Sequence, residues 1–127
     1  MKILLTDIDG VLLDWSGHFN KYLEMYHPEL GLMNPTQFNQ ESEIAQVMQK
    51  FNTSAWLGYL KAHKDACEIL PKFKKAGYDI ICCTAMGHDP YSYSLRKQNL
   101  ENVFPGLISR MDVTGFGKPK NEWLSQY

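Results

Sequence analysis

The chain has 127 residues, of which 44% are hydrophobic and 21% charged, with 13 basic residues against 14 acidic ones. That is one domain's worth of sequence, and so balanced a charge offers no broad positive face for a nucleic-acid backbone. Its apolar runs, such as residues 3–5 and 11–13, fall far short of the roughly 20 residues of a membrane span or the roughly 7–15 of a signal-peptide core. The three cysteines, Cys67, Cys82 and Cys83, form no CxxC pair. They read as small core residues in a reducing compartment, so the expected location is cytoplasmic.

In chain order, residues 2–8 (KILLTDI) are an apolar, β-rich run too short for a helix, which predicts a buried strand. Asp9-Gly10 follows as a turn signal. From Ser16 the period changes: Phe19, Tyr22, Leu23 and Tyr26 recur at helical spacing, mostly as the core of a helical cap, until His27-Pro28 stops the run. Asn34-Pro35-Thr36 opens a second predicted helix, with Thr36 a candidate N-cap and a weaker stripe of Phe38, Ile44, Val47, Met48 and Phe51. Asn52-Thr53-Ser54 breaks it, and residues 55–60 predict one further short turn.

Residues 65–76 read as an amphipathic helix with Ala66, Ile69, Leu70 and Phe73 inward, solvated Lys72, Lys74 and Lys75 in its last turns, and Gly77 just beyond its end. Pro71 within it predicts a kink or a late start. Residues 78–84 (YDIICCT) predict the second buried strand. Asp89-Pro90 opens another helix, with Leu95 and Leu100 inward, ending before Pro105. Residues 107–111 predict the third strand, Gly115, Gly117 and Pro119 a loop, and residues 121–127 the start of a last helix.

Strands alternating with helices argue an α/β fold with a parallel sheet, whose connections must cross over. The span between the first two strands exceeds what one crossover helix requires, so residues 16–60 are expected as an inserted helical cap on a core of 1–15 and 61–127. Ligand chemistry in such sheets collects at the carboxyl ends of the strands. Asp7 and Asp9, Thr84, and the loop carrying Lys118 and Lys120 all fall there. Two carboxylates two residues apart in an extended stretch share one side, and with a lysine, a hydroxyl and a hard divalent cation they suit phosphoryl transfer.

Asp7-Ile8-Asp9-Gly10-Val11-Leu12 resembles the DxDG(T/V)L signature of the haloacid dehalogenase-like (HAD) hydrolase superfamily. Thr84 closing an apolar strand is similar to its second motif, and a lysine ahead of the last helix to its third. The insertion resembles a C1-type cap, and DGVLLDW with SAWLGYLKAHKDACEIL looks closest to the 5′(3′)-deoxyribonucleotidase-like group. The resemblance implies a Rossmann-like three-layer sandwich and an Mg2+-dependent phosphomonoester hydrolase, with nucleotides among the candidate substrates and an aspartyl-phosphate intermediate. It makes Asp7 the nucleophile and a metal ligand. Asp9 becomes general acid and base, its backbone carbonyl a second metal ligand, and an apolar cap closing over its carboxyl is expected to favour the protonated form. Thr84 would hold the phosphoryl group, and Lys120, with Lys118 as the alternate, would neutralise charge. Gly10, Ala85, Trp15 and Trp56 would meet the substrate.

Plainer roles stand beside these. Trp15 and Trp56 suit core packing as well as a pocket wall, and Asp14 suits a helix cap as well as a hinge. The four histidines lack metal-ligand spacing, and only His88, near Thr84, is placed to take part. The superfamily's fourth motif, an acidic pair after a further strand, has no counterpart here; Asp112 and Glu122 are the late acids. A C-terminally truncated fold is therefore expected, with residues 2–8 as an apolar sheet edge that a homodimer would cover. The alternative function is a catalytically incomplete phosphate-binding or interaction module. The lack of Asp in 48–60 argues against a receiver domain, and Asp9 against halide chemistry.

Overall fold

A computed structural model describes residues 2–30, 43–86, 89–115 and 120–127. Three strands, β1 (Lys2–Asp7), β2 (Tyr78–Ala85) and β3 (Arg110–Thr114), pair in parallel in the order β1-β2-β3. Lys2 lies opposite Tyr78 and Asp7 opposite Cys83; Ile81 lies opposite Arg110 and Ala85 opposite Thr114. Among the described residues β1 pairs on one side only. The helices are α1 (Trp15–Tyr26), α2 (Glu43–Asn52), α3 (Lys64–Lys75), α4 (Pro90–Val103) and the short α5 (Asn121–Leu124), with 3-10 turns at Pro28–Leu30 and Ala55–Gly58. No helix among the described residues is long and apolar enough to cross a membrane. The helix opening expected at Asn34-Pro35-Thr36, with Phe38, lies outside the described residues.

Strand alternation divides the sheet between two apolar layers. Leu4, Ile80 and Cys82 face the main core, whereas Ile3, Leu5, Ile81 and Cys83 face the other side, where Trp123 of α5 covers them. The main core is continuous through α1 and α2: Phe19, Leu23, Val47 and Phe51 join Ile8, Leu12, Leu13, Leu57, Leu60, Leu100 and Phe104. Burying one such side chain contributes roughly 1.5–3 kcal/mol. Trp15 stacks on Phe19 at 4.8 Å, and Phe51 meets Phe19 edge-on at 5.5 Å, so Phe19 and Leu23 of the α1 stripe are core, while Tyr22 is partly buried and Tyr26 is exposed.

Four expectations shift. The third strand begins at Arg110, not Leu107, because Leu107 and Ile108 pack on the core from the preceding loop and pairing starts where the Ser109 N–H reaches the Ile80 carbonyl at 2.7 Å. Its apolar residues marked packing and not strand pairing. In α3 the buried stripe runs Ala66, Leu70 and partly Phe73, at spacings of four and three. Ile69 turns outward, 46% exposed. Pro71 does not delay the helix, which starts at Lys64. Leu95 is half-buried and not fully inward.

Two linkers join the sheet to α1 and α2, and they are pinned to each other. The Asp14 N–H donates to Lys61 O at 2.8 Å, the His63 N–H to Leu12 O at 2.8 Å, and Leu13 and Ala62 form an antiparallel bridge. The Asp14 carboxylate caps α1 by accepting the Gly17 N–H at 3.1 Å, so its role is the helix cap. On α1, His18 Nε2 accepts the Lys61 N–H at 3.0 Å and ties helix to linker.

His18 has its pKa lowered chiefly by burial, with Lys21 and Lys61 adding to the effect and Asp14 opposing it. Below the unfolded value of about 6.5 the unfolded chain therefore binds more protons than the folded one, so this contribution to stability falls as pH falls, and levels off below the folded pKa. Protonation also removes the acceptor for the Lys61 N–H. Thermal unfolding measured between pH 7.5 and 5.5 should show a smaller acid-induced drop in Tm for His18→Gln than for the parent chain.

Candidate functional site

The first strand ends at Asp7, and the chain then turns sharply. The Ile8 carbonyl accepts the N–H groups of Leu12 and Leu13 at 2.9 and 3.0 Å, and the Gly10 N–H donates to Leu13 O at 3.0 Å. Gly10 sits at φ +77, a left-handed conformation that strains a side-chain-bearing residue. Ile8, fully buried, anchors the turn.

Asp9 therefore lies in this turn, outside the strand, and the side-sharing argument that holds along extended backbone stops at Asp7. The two carboxylates meet different cations. Asp7 Oδ1 accepts its neighbour's Ile8 N–H at 2.7 Å and faces Lys120 Nζ at 2.7 Å. Lys120, just ahead of α5, also lies 3.5 Å from the Cys83 carbonyl. Lys118, the alternate, and His88 lie outside the described residues.

Asp9 is held by Arg96, a residue of α4. Nη1 donates to Oδ1 at 2.6 Å and Nη2 to Oδ2, a bidentate pair. The arginine is 3% exposed and the Asp9 side chain 35%. Asp9 thus faces a buried guanidinium where the sequence led to expect an apolar cap wall. The signal for Arg96 was present but indirect. The α4 segment PYSYSLRKQNLENV has two leucines for fourteen residues, so a helix packed along its length must bury polar side chains. Those are Ser92, Arg96 and Asn99, at spacings of four and three on one face.

Each of the three reaches a different segment. The single Ser92 hydroxyl proton is shared between Asp89 Oδ2 at 2.8 Å and the Asn52 carbonyl at 3.1 Å. Asn99 exchanges two 3.0 Å hydrogen bonds with the Leu60 backbone, accepting its N–H and donating to its carbonyl. Asp89 caps α4, and the Ser92 hydroxyl holds its carboxyl below the usual range.

An open cleft of about 410 Å³ lies over this face of α4, between it and the ends of α1 and α2. Its walls include Asp9, Arg96, Trp15, Asn52, Met48 and Ala85. The Trp15 indole N–H donates to Asn52 Oδ1 at 2.7 Å, so Trp15 packs against Phe19 and lines the cleft at once. Trp56, in the 55–58 turn, is 42% exposed and does not line it. Thr84 is the penultimate residue of β2 and 1% exposed, one position beyond the Cys83 that pairs with Asp7.

The thiols take no part. Burial pushes Cys82 up to about 12, with Cys83 and Asp7 adding to it, and burial also raises Cys83 against the pull of Lys120. Asp112 is likewise committed. Its Oδ2 accepts the Trp123 indole N–H at 2.8 Å and the Tyr127 hydroxyl at 3.1 Å, while Arg110 Nε lies 2.9 Å from Oδ1. This acid fastens α5 to β3. Among the described residues no group of three or more His, Cys, Asp or Glu is arranged to hold a metal. The oxygens at hand are the Asp7 carboxylate and the Asp9 carbonyl, a small set that suits a hard cation retaining several waters.

No protein-family model matches the sequence. The chain is 30% identical over 131 residues to the uncharacterized 32.4 kDa protein in the Gp30-rIII intergenic region of Enterobacteria phage T4. The match takes in 94% of this chain and 47% of that protein, so the chain spans about half the length of the curated relative it matches. Among solved structures it is similar to the class C acid phosphatase from Bacillus anthracis with tungstate bound, with a TM-score of 0.58 and 16% identity, over 98% of this chain and 47% of that one. At that identity the likeness is one of fold. The chain is an α/β protein with a parallel sheet and a Rossmann-like arrangement.

The two ion pairs differ in what they cost to break. Asp9→Asn strands a buried guanidinium and should destabilise the chain by roughly 3–5 kcal/mol, much of it recovered in the double variant Asp9→Asn, Arg96→Met. Asp7 is 47% exposed, and Asp7→Asn should change stability by less than about 1 kcal/mol. Urea unfolding followed by tryptophan fluorescence distinguishes them.

Proposed function

We propose that the chain is a HAD-like phosphatase that hydrolyses phosphomonoesters through Asp7. The observation that carries this reading is a half-exposed carboxylate at the carboxyl edge of a parallel strand with a lysine ammonium 2.7 Å away. A nucleophile at that edge has the ammonium on hand to offset its repulsion from a phosphate dianion. The class C acid phosphatase with the same fold, a HAD superfamily member, points the same way.

In this reading an Asp7 oxygen attacks phosphorus, forming the aspartyl-phosphate, and the departing alkoxide takes a proton from Asp9. Asp9 then removes a proton from water, whose oxygen attacks the same phosphorus, releasing inorganic phosphate and restoring Asp7. Lys120 offsets negative charge on nucleophile and phosphoryl group, and Thr84, at the adjacent strand end, is the hydroxyl for a phosphoryl oxygen. Magnesium, held by Asp7 and the Asp9 carbonyl, would supply further neutralisation of the phosphoryl oxygens. The substrate's organic part would enter the cleft. There Trp15 offers an aromatic face, and its N–H fixes the Asn52 amide oxygen, leaving the amide N–H groups for a ligand. That combination suits a nucleobase and favours nucleoside monophosphates.

A second reading, a phosphate-binding module without turnover, is favoured by the small set of metal-ligating oxygens among the described residues. One set of assays separates the two. With millimolar magnesium and a panel of nucleoside 3′- and 5′-monophosphates and p-nitrophenyl phosphate, a hydrolase should release phosphate. Asp7→Asn should abolish that release, and EDTA should suppress it. Unimpaired release from Asp7→Asn would sink the mechanism. Absence of release, together with binding of inorganic phosphate that weakens in Lys120→Gln, would establish the module.

A further inference from the structure

We propose that Arg96 is a positioning residue that sets the orientation of the Asp9 carboxyl. The proposal rests on the reading of Asp9 as the group that exchanges protons with leaving group and water.

Three observations carry it. First, the guanidinium engages both carboxyl oxygens of Asp9 while itself 3% exposed, so neither group can turn away without leaving a charge unpaired out of water. Second, the arginine's own place is fixed. Ser92, one turn earlier, is bonded to the Asn52 carbonyl at the end of α2, and Asn99, one turn later, is bonded twice to the Leu60 backbone in the linker returning to the sheet. One helix face thus holds the turn after β1, the end of α2 and the return linker in mutual register. Third, Arg96 Nε is buried with no hydrogen-bond partner among the described residues, and Arg96 lines the cleft beside Asp9. The guanidinium has a donor to spare, and an orphaned buried donor is a feature folded chains seldom retain.

The chemical consequence follows from counting. The fork takes one lone pair on each Asp9 oxygen and leaves the other, and the Asp9 side chain is 35% exposed, so water or a leaving oxygen can still reach it. What the two hydrogen bonds fix is the plane of the carboxyl, and with it the direction in which the remaining lone pairs point. A bidentate fork does this; a lysine ammonium, a point charge on a flexible stem, would hold the carboxyl without fixing its plane.

The test compares the full chain with Arg96→Lys and Arg96→Gln. In phosphomonoester hydrolysis Arg96→Gln should lower kcat by about 100-fold with KM unchanged, and Arg96→Lys should recover part of the loss. A folded Arg96→Gln protein with the parent kcat would overturn the proposal. So would a loss of rate that merely tracks the folded fraction. A second measurement does not depend on turnover: in nitrogen-15 spectra of the parent chain the Arg96 Nη protons should be slowed in exchange, and that protection should vanish in Asp9→Asn. Unprotected Nη protons in a folded parent chain would refute the pair itself. Failure of hydrolysis with protection intact would instead count against the phosphatase reading alone.

Discussion

A guanidinium taken out of water needs a counter-charge within reach, and Arg96 finds it in Asp9. Much of the local architecture is arranged around that requirement. The turn after β1 must bring Asp9 back toward α4, which the left-handed Gly10 and the clustered hydrogen bonds to the Ile8 carbonyl achieve. The helix in turn must stay where the guanidinium can be met, and its packing on the 55–58 turn, with the Ser92 and Asn99 bonds, supplies that constraint. The pair, the turn and the helix placement are three aspects of one electrostatic condition.

The two carboxylate ion pairs differ in solvation. Lys120 and Asp7 meet where water still reaches both, at 27% and 47% exposure, so their attraction is screened and exchangeable. Such a pair can open to admit an anion at low cost. The Asp9 pair has no such freedom, and its value lies in direction more than in net stabilisation.

The strands were legible because a buried parallel sheet demands near-continuous apolar sequence, and KILLTD and YDIICCTA satisfy it. The third was misplaced by three residues. In RMDVT only Met111 and Val113 are apolar, and Asp112 is spent on fastening α5, so hydrophobicity alone pointed to the preceding loop. Asp7 and Asp9 stood out as two acids at a strand end, but that the turn sends them to different cations was not legible. Nor was Arg96. An arginine next to Lys97 in a helix with few apolar residues reads as solvated until its neighbours are known, and its partner lies 87 positions away. Local pattern carries no information about such a meeting; only the packing of α4 creates it.

The alternation of β2 has a practical consequence for covalent labelling. Because consecutive side chains point to opposite faces, the adjacent Cys82 and Cys83 are each enclosed in a different apolar layer, both with raised thiol pKa. Cys67, by contrast, is exposed on α3. An alkylating dye should find one accessible thiol in the folded chain, on a helix that contributes no residue to the cleft described above. The chain already carries a single-site attachment point, and a spectroscopic probe can be placed there without first removing the other two cysteines.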